Sequence, residues 1–218
     1  MAGYMQYDVT LQGDSLIMHN GQTADPLNPF SKAMKEISGK RKKTDSDYEA
    51  MSNIEYKAGL YVDAKNNVII PSRVLESVLV EGAKKSKEGK LALSGMFVDT
   101  DALLDYEGHP MSIDELMNSP EHRLCVAVRV GMSKVMRTRP HFKDWSATFK
   151  VSLNADVANE GQLRGWVEDA GAYVGIGDWR PRHGRYEVVS FAVAKKPLKK
   201  VAYGFQAWLG GTRLCLVR

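Results

Sequence analysis

The chain has 218 residues, 44% hydrophobic and 26% charged, with a formal net charge of +4. That length allows one domain with insertions and a real core, and the composition excludes disordered and fibrous classes. With only Cys125 and Cys215, each inside an apolar run, neither a disulfide framework nor a CxxC metal site is supported.

Residues 4–11 alternate, with Met5, Tyr7, Val9 and Leu11 on one face, which predicts a half-buried strand. Gly13-Asp14 turns it, and 15–18 is a short continuation. Residues 19–29, HNGQTADPLNP, carry turn chemistry throughout. A short helix over 29–37 precedes the basic run Lys40, Arg41, Lys42 and Lys43, and a second helix over 47–57 takes Ser46 as its cap. The block 19–57 reads as an insertion whose basic tip either grips a phosphate backbone or sits in water.

Residues 59–62 and 68–70 flank Lys65-Asn66-Asn67 as a small hairpin. A helix over 72–84 follows, capped by Pro71-Ser72 and buried along Val74, Leu75, Val78, Leu79 and Ala83. Residues 91–98 read as a strand. Residues 98–121 then hold seven acids and no Lys or Arg, leaving the positive charge elsewhere, as a polyanion-binding surface would have it. Here 99–123 is a second insertion, with a helix over 113–118 opened by the capping box of Ser112 and Glu115.

Strand 124–130 is expected to pair back on 133–138, and Arg137-Thr138-Arg139-Pro140 reads as an arginine-rich turn. Residues 145–153 alternate without a fault: Trp145, Ala147, Phe149, Val151 and Leu153 inward, Ser146, Thr148, Lys150 and Ser152 outward. An amphipathic helix over 157–173 then leads through a glycine- and arginine-rich turn to a strand over 186–193, β-branched and aromatic enough to be buried. Residues 195–200 form a basic linker and 201–217 a hairpin turning at Gly210-Gly211.

Without its insertions the order is strand, helix, strand, strand, helix, strand. That predicts an α+β, ferredoxin-like (RRM-like) core over 1–194: an antiparallel sheet with two helices packed on one face. The turn at 175–185 places three glycines, three arginines, a histidine and a tryptophan in eleven residues. Gly175, Gly177 and Gly184 allow positive φ and close backbone approach. Arg180, Arg182 and Arg185 match phosphate oxygens, with His183 beside them, and Trp179 offers a stacking face. A tight connection with solvated arginines is the competing reading.

Other chemistry is missing from the pattern. The GxG follows a helix, so the dinucleotide fingerprint fails on context. No phosphate loop, HExxH or GxSxG occurs, and His19, His109, His122, His141 and His183 show no ligand spacing. No cofactor or metal is expected. No signal pattern and no apolar run near the roughly 18 residues needed to cross a bilayer is present, so a cytoplasmic protein without a membrane partner is expected.

A ferredoxin-like core with a glycine-rich loop between its last helix and strand, here Gly175-Ile176-Gly177 to Gly184-Arg185, resembles the RAMP superfamily of CRISPR RNA-binding proteins. The sequence departs in reading Gly-Arg-Tyr where many members carry a second glycine. In that family backbone subunits carry a long insertion after the first strand and polymerise along RNA, a part 19–57 would play. The combination of Arg129-Val130-Gly131, Arg137-Thr138-Arg139-Pro140 and GIGDWRP also resembles a family of phage-encoded proteins, which implies no function.

Three readings stay open. The first is a noncatalytic single-stranded RNA- or DNA-binding protein that assembles as a homo-oligomer, with Lys40 to Lys43, Arg137 and Arg139 extending the track from the glycine-rich turn. The second is a metal-independent endoribonuclease of the same fold. The resemblance implies a histidine after the first strand as base, which is His19, with Tyr186 or Lys32 assisting. The third is a phage anti-defence protein bound to a host or CRISPR protein partner.

Overall fold

The computed structural model describes residues 3–194; the expected linker and C-terminal hairpin lie outside the described residues. Helices and an antiparallel sheet make up an α+β fold. In chain order the elements are β1 (Tyr4–Ile17), α1 (Pro29–Ser38), α2 (Asp45–Gly59), β2 (Ile69–Ile70), α3 (Ser72–Ala83), α4 (Gly89–Gly95), β3 (Met96–Val98), β4 (Ala102–Asp105), α5 (Ile113–Asn118), β5 (Arg123–Val130), β6 (Ser133–Asn154), α6 (Glu160–Asp169) and β7 (Glu187–Val193).

The sheet runs β2-β4-β6-β1-β7, with β3 and β5 pairing other lengths of β6, and every pairing is antiparallel. At 22 residues β6 is the longest element, about 70 Å of extended chain if straight, so it serves two ladders. Its first half makes a hairpin with β5, and its second half lies between β1 and the pair β3 and β4. Trp145, Ala147, Phe149, Val151 and Leu153 turn inward as the alternation predicts, meeting Tyr7, Val9 and Leu11 of β1 and Leu75, Val78, Leu79, Leu163, Trp166 and Val167 of α3 and α6. Trp166 also donates from its indole Nε1 to Glu88 at 2.6 Å.

Before residue 144, the buried residues of β6 are even-numbered: Thr138, Pro140 and Phe142. After it they are odd, apart from Ser152, whose hydroxyl is buried against Asp99. β1 makes the same change, from Tyr7, Val9, Leu11 and Gly13 to Leu16 in the core cluster, with Ile17 buried outside that cluster. Asp14 and Asp144 fall on one rung between the pairs Gly13–Trp145 and Ser15–Lys143, and Asp144 takes a φ of 44°. Both strands therefore exchange inward for outward faces together. Gly13-Asp14, expected as a turn, is continuous strand; Gly13 lies beneath the indole of Trp145, where a Cβ would sit 2.9 Å from the ring.

Several other local expectations are corrected. Residues 91–98 are not one strand: α4 takes 89–95 and only Met96–Val98 pairs with β6. Leu-Ala-Leu suits a helix, and burying Ala92 and Gly95 against the neighbouring helix and Val157 decides it. The small hairpin contracts to one bridge, Val62–Val68, while Ile69 and Ile70 pair with β4. Arg137 to Pro140 is strand interior, because β5 supplies ladder partners on one side and Pro140, lacking an N–H, still offers its carbonyl to Met18 N at 2.9 Å. The strand after the glycine-rich turn is not buried. It is an edge strand in the described sheet, with Glu187, Val189, Ser190, Ala192 and Val193 exposed. Helix α2 starts earlier, capped by Thr44 with Asp47 rather than Ser46. Helix α3 has no side-chain cap from Pro71-Ser72; Asp101, from the acidic segment, accepts from Ser72 N at 2.7 Å. Helix α6 begins at an Asn159–Gln162 capping box and ends in a π turn, Ala170–Val174. The short α5 keeps its expected bounds and its Ser112–Glu115 box.

Candidate nucleic-acid interface

The turn after α6 folds back on the end of β1 and the middle of β6. Gly175, Gly177 and Gly184 have φ of 77°, 88° and 80°, and Trp179 one of 54°. Ile176 N donates to Gly184 O at 2.8 Å, Asp178 N to Ile17 O at 2.8 Å, and Gly184 N to Ser15 O at 2.7 Å. A Cβ on Gly177 would collide with the Ile17 carbonyl, and one on Gly184 with the Ile176 carbonyl. These glycines are explained by the turn packing on its own chain, a role the sequence could not separate from ligand access.

Side chains complete the seat. Ser15 Oγ stands 2.8 Å from His141 Nε2 and 2.8 Å from His183 Nδ1, so one hydroxyl ties the turn to β6. A hydroxyl donates once, so one imidazole donates to it and the other accepts. Desolvation, then His183, holds His141 below the usual histidine range. Asp178 pairs with Arg139 Nε at 3.2 Å and accepts from Trp179 N at 3.0 Å.

His19, one residue beyond Met18, is the ridge between two depressions. One, about 170 Å³, is lined by His19, Thr23, Glu55, Arg137 and Arg139 along with Ala58 and Gly59. The other, about 390 Å³, opens toward α3 and is lined by His19, Tyr61, Arg73, Val74, Ser77, Val78, Gly177, Asp178 and Arg180. Four arginines from α3, β6 and the turn thus meet around one histidine. Arg137 is held by Glu55 at 2.5 Å, and Arg180 reaches the Gly175 carbonyl at 3.4 Å. Partial desolvation and then Arg139 hold His19 below its usual range, with Asp178 and Glu55 opposing. Its imidazole is therefore neutral at pH 7 and free to accept a proton.

The structure brings together Arg137, Arg139, Gly177 and Arg180, with Gly175 and His183 supporting the turn. Trp179 is partly buried beside His183, their ring centroids 6.3 Å apart. Arg182 and Arg185 are exposed on the same turn. The basic run stands apart: Gly59, at the C-terminal end of α2, lines the groove, while Lys43 precedes the N-terminal end, so about 22 Å of helix separates them. There Lys40 pairs with Asp47 at 2.6 Å, Lys43 bonds the Lys40 carbonyl at 3.1 Å, and Arg41 and Lys42 are exposed. Lys32 is exposed on α1. The Tyr186 hydroxyl is enclosed beneath Gly171 and Trp145 and raised far above its usual pKa by burial, so it presents no proton to the groove. Glu55, Tyr61, Arg73 and Asp178 belong to the groove too, though no local spacing marks them.

Among the described residues no group of three or more His, Cys, Asp and Glu could hold a metal, and no helix is long and apolar enough to cross a membrane. No protein-family model matches the sequence, and no curated protein sequence matches it. Solved structures do share the fold. One is a chain in the cryo-electron microscopy structure of the Type III-B Cmr-beta bound to cognate target RNA, at 10% identity and a TM-score of 0.53, covering 88% of this chain and 61% of that one. The present chain thus spans under two thirds of its structural relative, and the likeness is one of fold.

Proposed function

We propose that the protein binds single-stranded RNA without cleaving it, along the groove centred on His19. The observation that carries this reading is the convergence of Arg73, Arg137, Arg139 and Arg180 from separate elements onto one exposed histidine. Arginine forks suit phosphate, and the two acids among them keep two guanidiniums in place. In this reading the core is ferredoxin-like, supported by the order of β4, β6, β1 and β7 with α3 and α6 as its two helices. Residues 19–57 and 99–123 are then insertions into it. The fold shared with a chain from an RNA-bound assembly supports a RAMP-like subunit that lines up with copies of itself on RNA.

The test is anisotropy with a labelled 20-nucleotide single strand across a salt series. If four arginines neutralise four phosphates, the slope of log K against log salt is about −2.8, or roughly 50-fold weaker binding from 50 to 200 mM salt. Replacing Arg73 and Arg180 together by alanine should reduce the slope by about 1.4. A wild-type protein with no salt-dependent affinity for single strands would overturn the reading.

The neutral imidazole of His19, flanked by Arg137 and Arg139, favours the metal-independent endoribonuclease as second reading. There His19 takes the 2′-OH proton as that oxygen attacks the adjacent phosphorus, the P–O5′ bond breaks, the departing 5′-oxygen takes a proton from water, and the arginines stabilise the added charge. Products ending in a 2′,3′-cyclic phosphate, lost in His19→Ala, would select it.

A further inference from the structure

The larger depression differs in kind from its neighbour. One wall is the side chain of Tyr61, a residue anchored by backbone and phenol: Tyr61 N donates to Met18 Sδ at 3.2 Å, Tyr61 O accepts from Ile69 N at 3.0 Å, and the phenol donates to His19 O at 3.4 Å. Arg73 lies over this ring, its guanidinium carbon 5.9 Å from the centroid. Val74 and Val78 of α3 give an apolar flank, while Asp178 and Arg180 face in from the turn. A volume of about 390 Å³ falls in the range of about 300–1,000 Å³ usual for small-molecule sites.

Single-stranded RNA is read by splaying bases onto aromatic rings or arginine planes and bonding their edges. We propose that this depression is a nucleobase pocket, in which one unpaired base stacks on the Tyr61–Arg73 platform and its exocyclic amino group donates to the Asp178 carboxylate. The assignment rests on the single-stranded RNA reading above and adds a base preference to it. Asp178 keeps acceptor capacity after meeting Arg139 and Trp179 N, because a carboxylate offers about four lone-pair directions. Arg180 remains for the adjoining phosphate. Cytosine, adenine and guanine carry the amino group and uracil does not, so the pocket disfavours oligo(U).

The test compares oligo(C), oligo(U) and a ribose-phosphate oligomer lacking bases, at fixed length, on the full chain. Wild type should bind oligo(C) about tenfold more tightly than the base-free strand, a loss typical of one stacked base. Tyr61→Ala should abolish that difference without moving the salt slope, and Tyr61→Phe should keep it. Asp178→Asn should lower the ratio of oligo(C) to oligo(U). Salt-dependent binding indifferent to bases in wild type, or a base preference intact in Tyr61→Ala, would overturn the pocket and leave phosphate binding standing. Loss of all single-strand binding in wild type would overturn the underlying reading with it. Should Tyr61→Ala not fold, the wild-type comparison of base-bearing and base-free strands decides alone.

Discussion

Replacing Gly177 by alanine perturbs the contact that seats the arginine-rich turn. A side chain at φ 88° costs about 1–2 kcal/mol for lack of a comfortable left-handed conformation. The new Cβ also meets the Ile17 carbonyl, which is backbone at the end of β1, held there by pairing with His141. The turn must lift, forfeiting Asp178 N to Ile17 O and Gly184 N to Ser15 O, at 2.8 and 2.7 Å, each worth about 1 kcal/mol net. The sum is about 3–4 kcal/mol. Gly131→Ala is the internal control: it shares a positive φ, 59°, but a Cβ there meets nothing within 4 Å, so only the conformational cost of about 1–2 kcal/mol applies. Urea unfolding by far-ultraviolet circular dichroism, with m held common, reads both. If Gly177→Ala costs no more than Gly131→Ala, the turn is not seated on β1 as described and the account of its glycines fails.

Stability should fall as pH drops below about 6.5, the ordinary histidine value. His19 and His141 both titrate below it in the folded chain, so the unfolded chain holds more protons there and acid favours unfolding; a Tm unchanged from pH 7.5 to 5 would contradict this. RNA affinity should move the opposite way, rising as His19 gains charge beside phosphate, and His19→Ala should flatten that rise in anisotropy titrations between pH 7.5 and 5.5. Asp101→Ala removes the carboxylate that accepts from Ser72 N and should cost about 1 kcal/mol in urea unfolding, as a lost helix cap does. Thr44→Ala should cost a similar amount, about 1 kcal/mol, since Thr44 caps α2, whereas Ser46→Ala should be close to neutral.

What the sequence made legible was whatever depends on near neighbours. The alternation of 145–153 and the Ser112–Glu115 box are complete within a few residues, and the structure keeps both except at Ser152, expected outward but buried against Asp99. Where a distant partner decides, local pattern misleads. Arg137 to Pro140 has the composition of a turn, yet Arg123 to Val126 complete its ladder. The run at 91–98 suits strand or helix equally, and burial against neighbouring helix surface selects helix for its first part. The groove follows the same division. Arg180, Arg137, Arg139 and His19 are visible as chemically suggestive residues, but that Arg73 and Tyr61, far off in the chain, meet them follows only from the packing of α3 on α6 and its π turn and from the bonds of Tyr61 to Met18 and His19. Likewise nothing local says that Glu55 and Asp178 hold two of the arginines.

The shared change of face at Asp14 and Asp144 bears on how this chain can vary in length. Side chains alternate with a period of two, so losing one residue from β1 beyond Asp14 would turn Leu16 outward while Tyr7, Val9 and Leu11 stayed in place. A matching loss across the rung in β6, near Asp144, would restore the pairing of Leu16 with Phe142 but leave both facing away from the core. Single-residue insertions and deletions in these two strands are therefore disfavoured whether single or paired, and a library selected for folded protein should return few of either. At the β5–β6 tip around Gly131 and Met132, where Met132 is 97% exposed, length can drift freely.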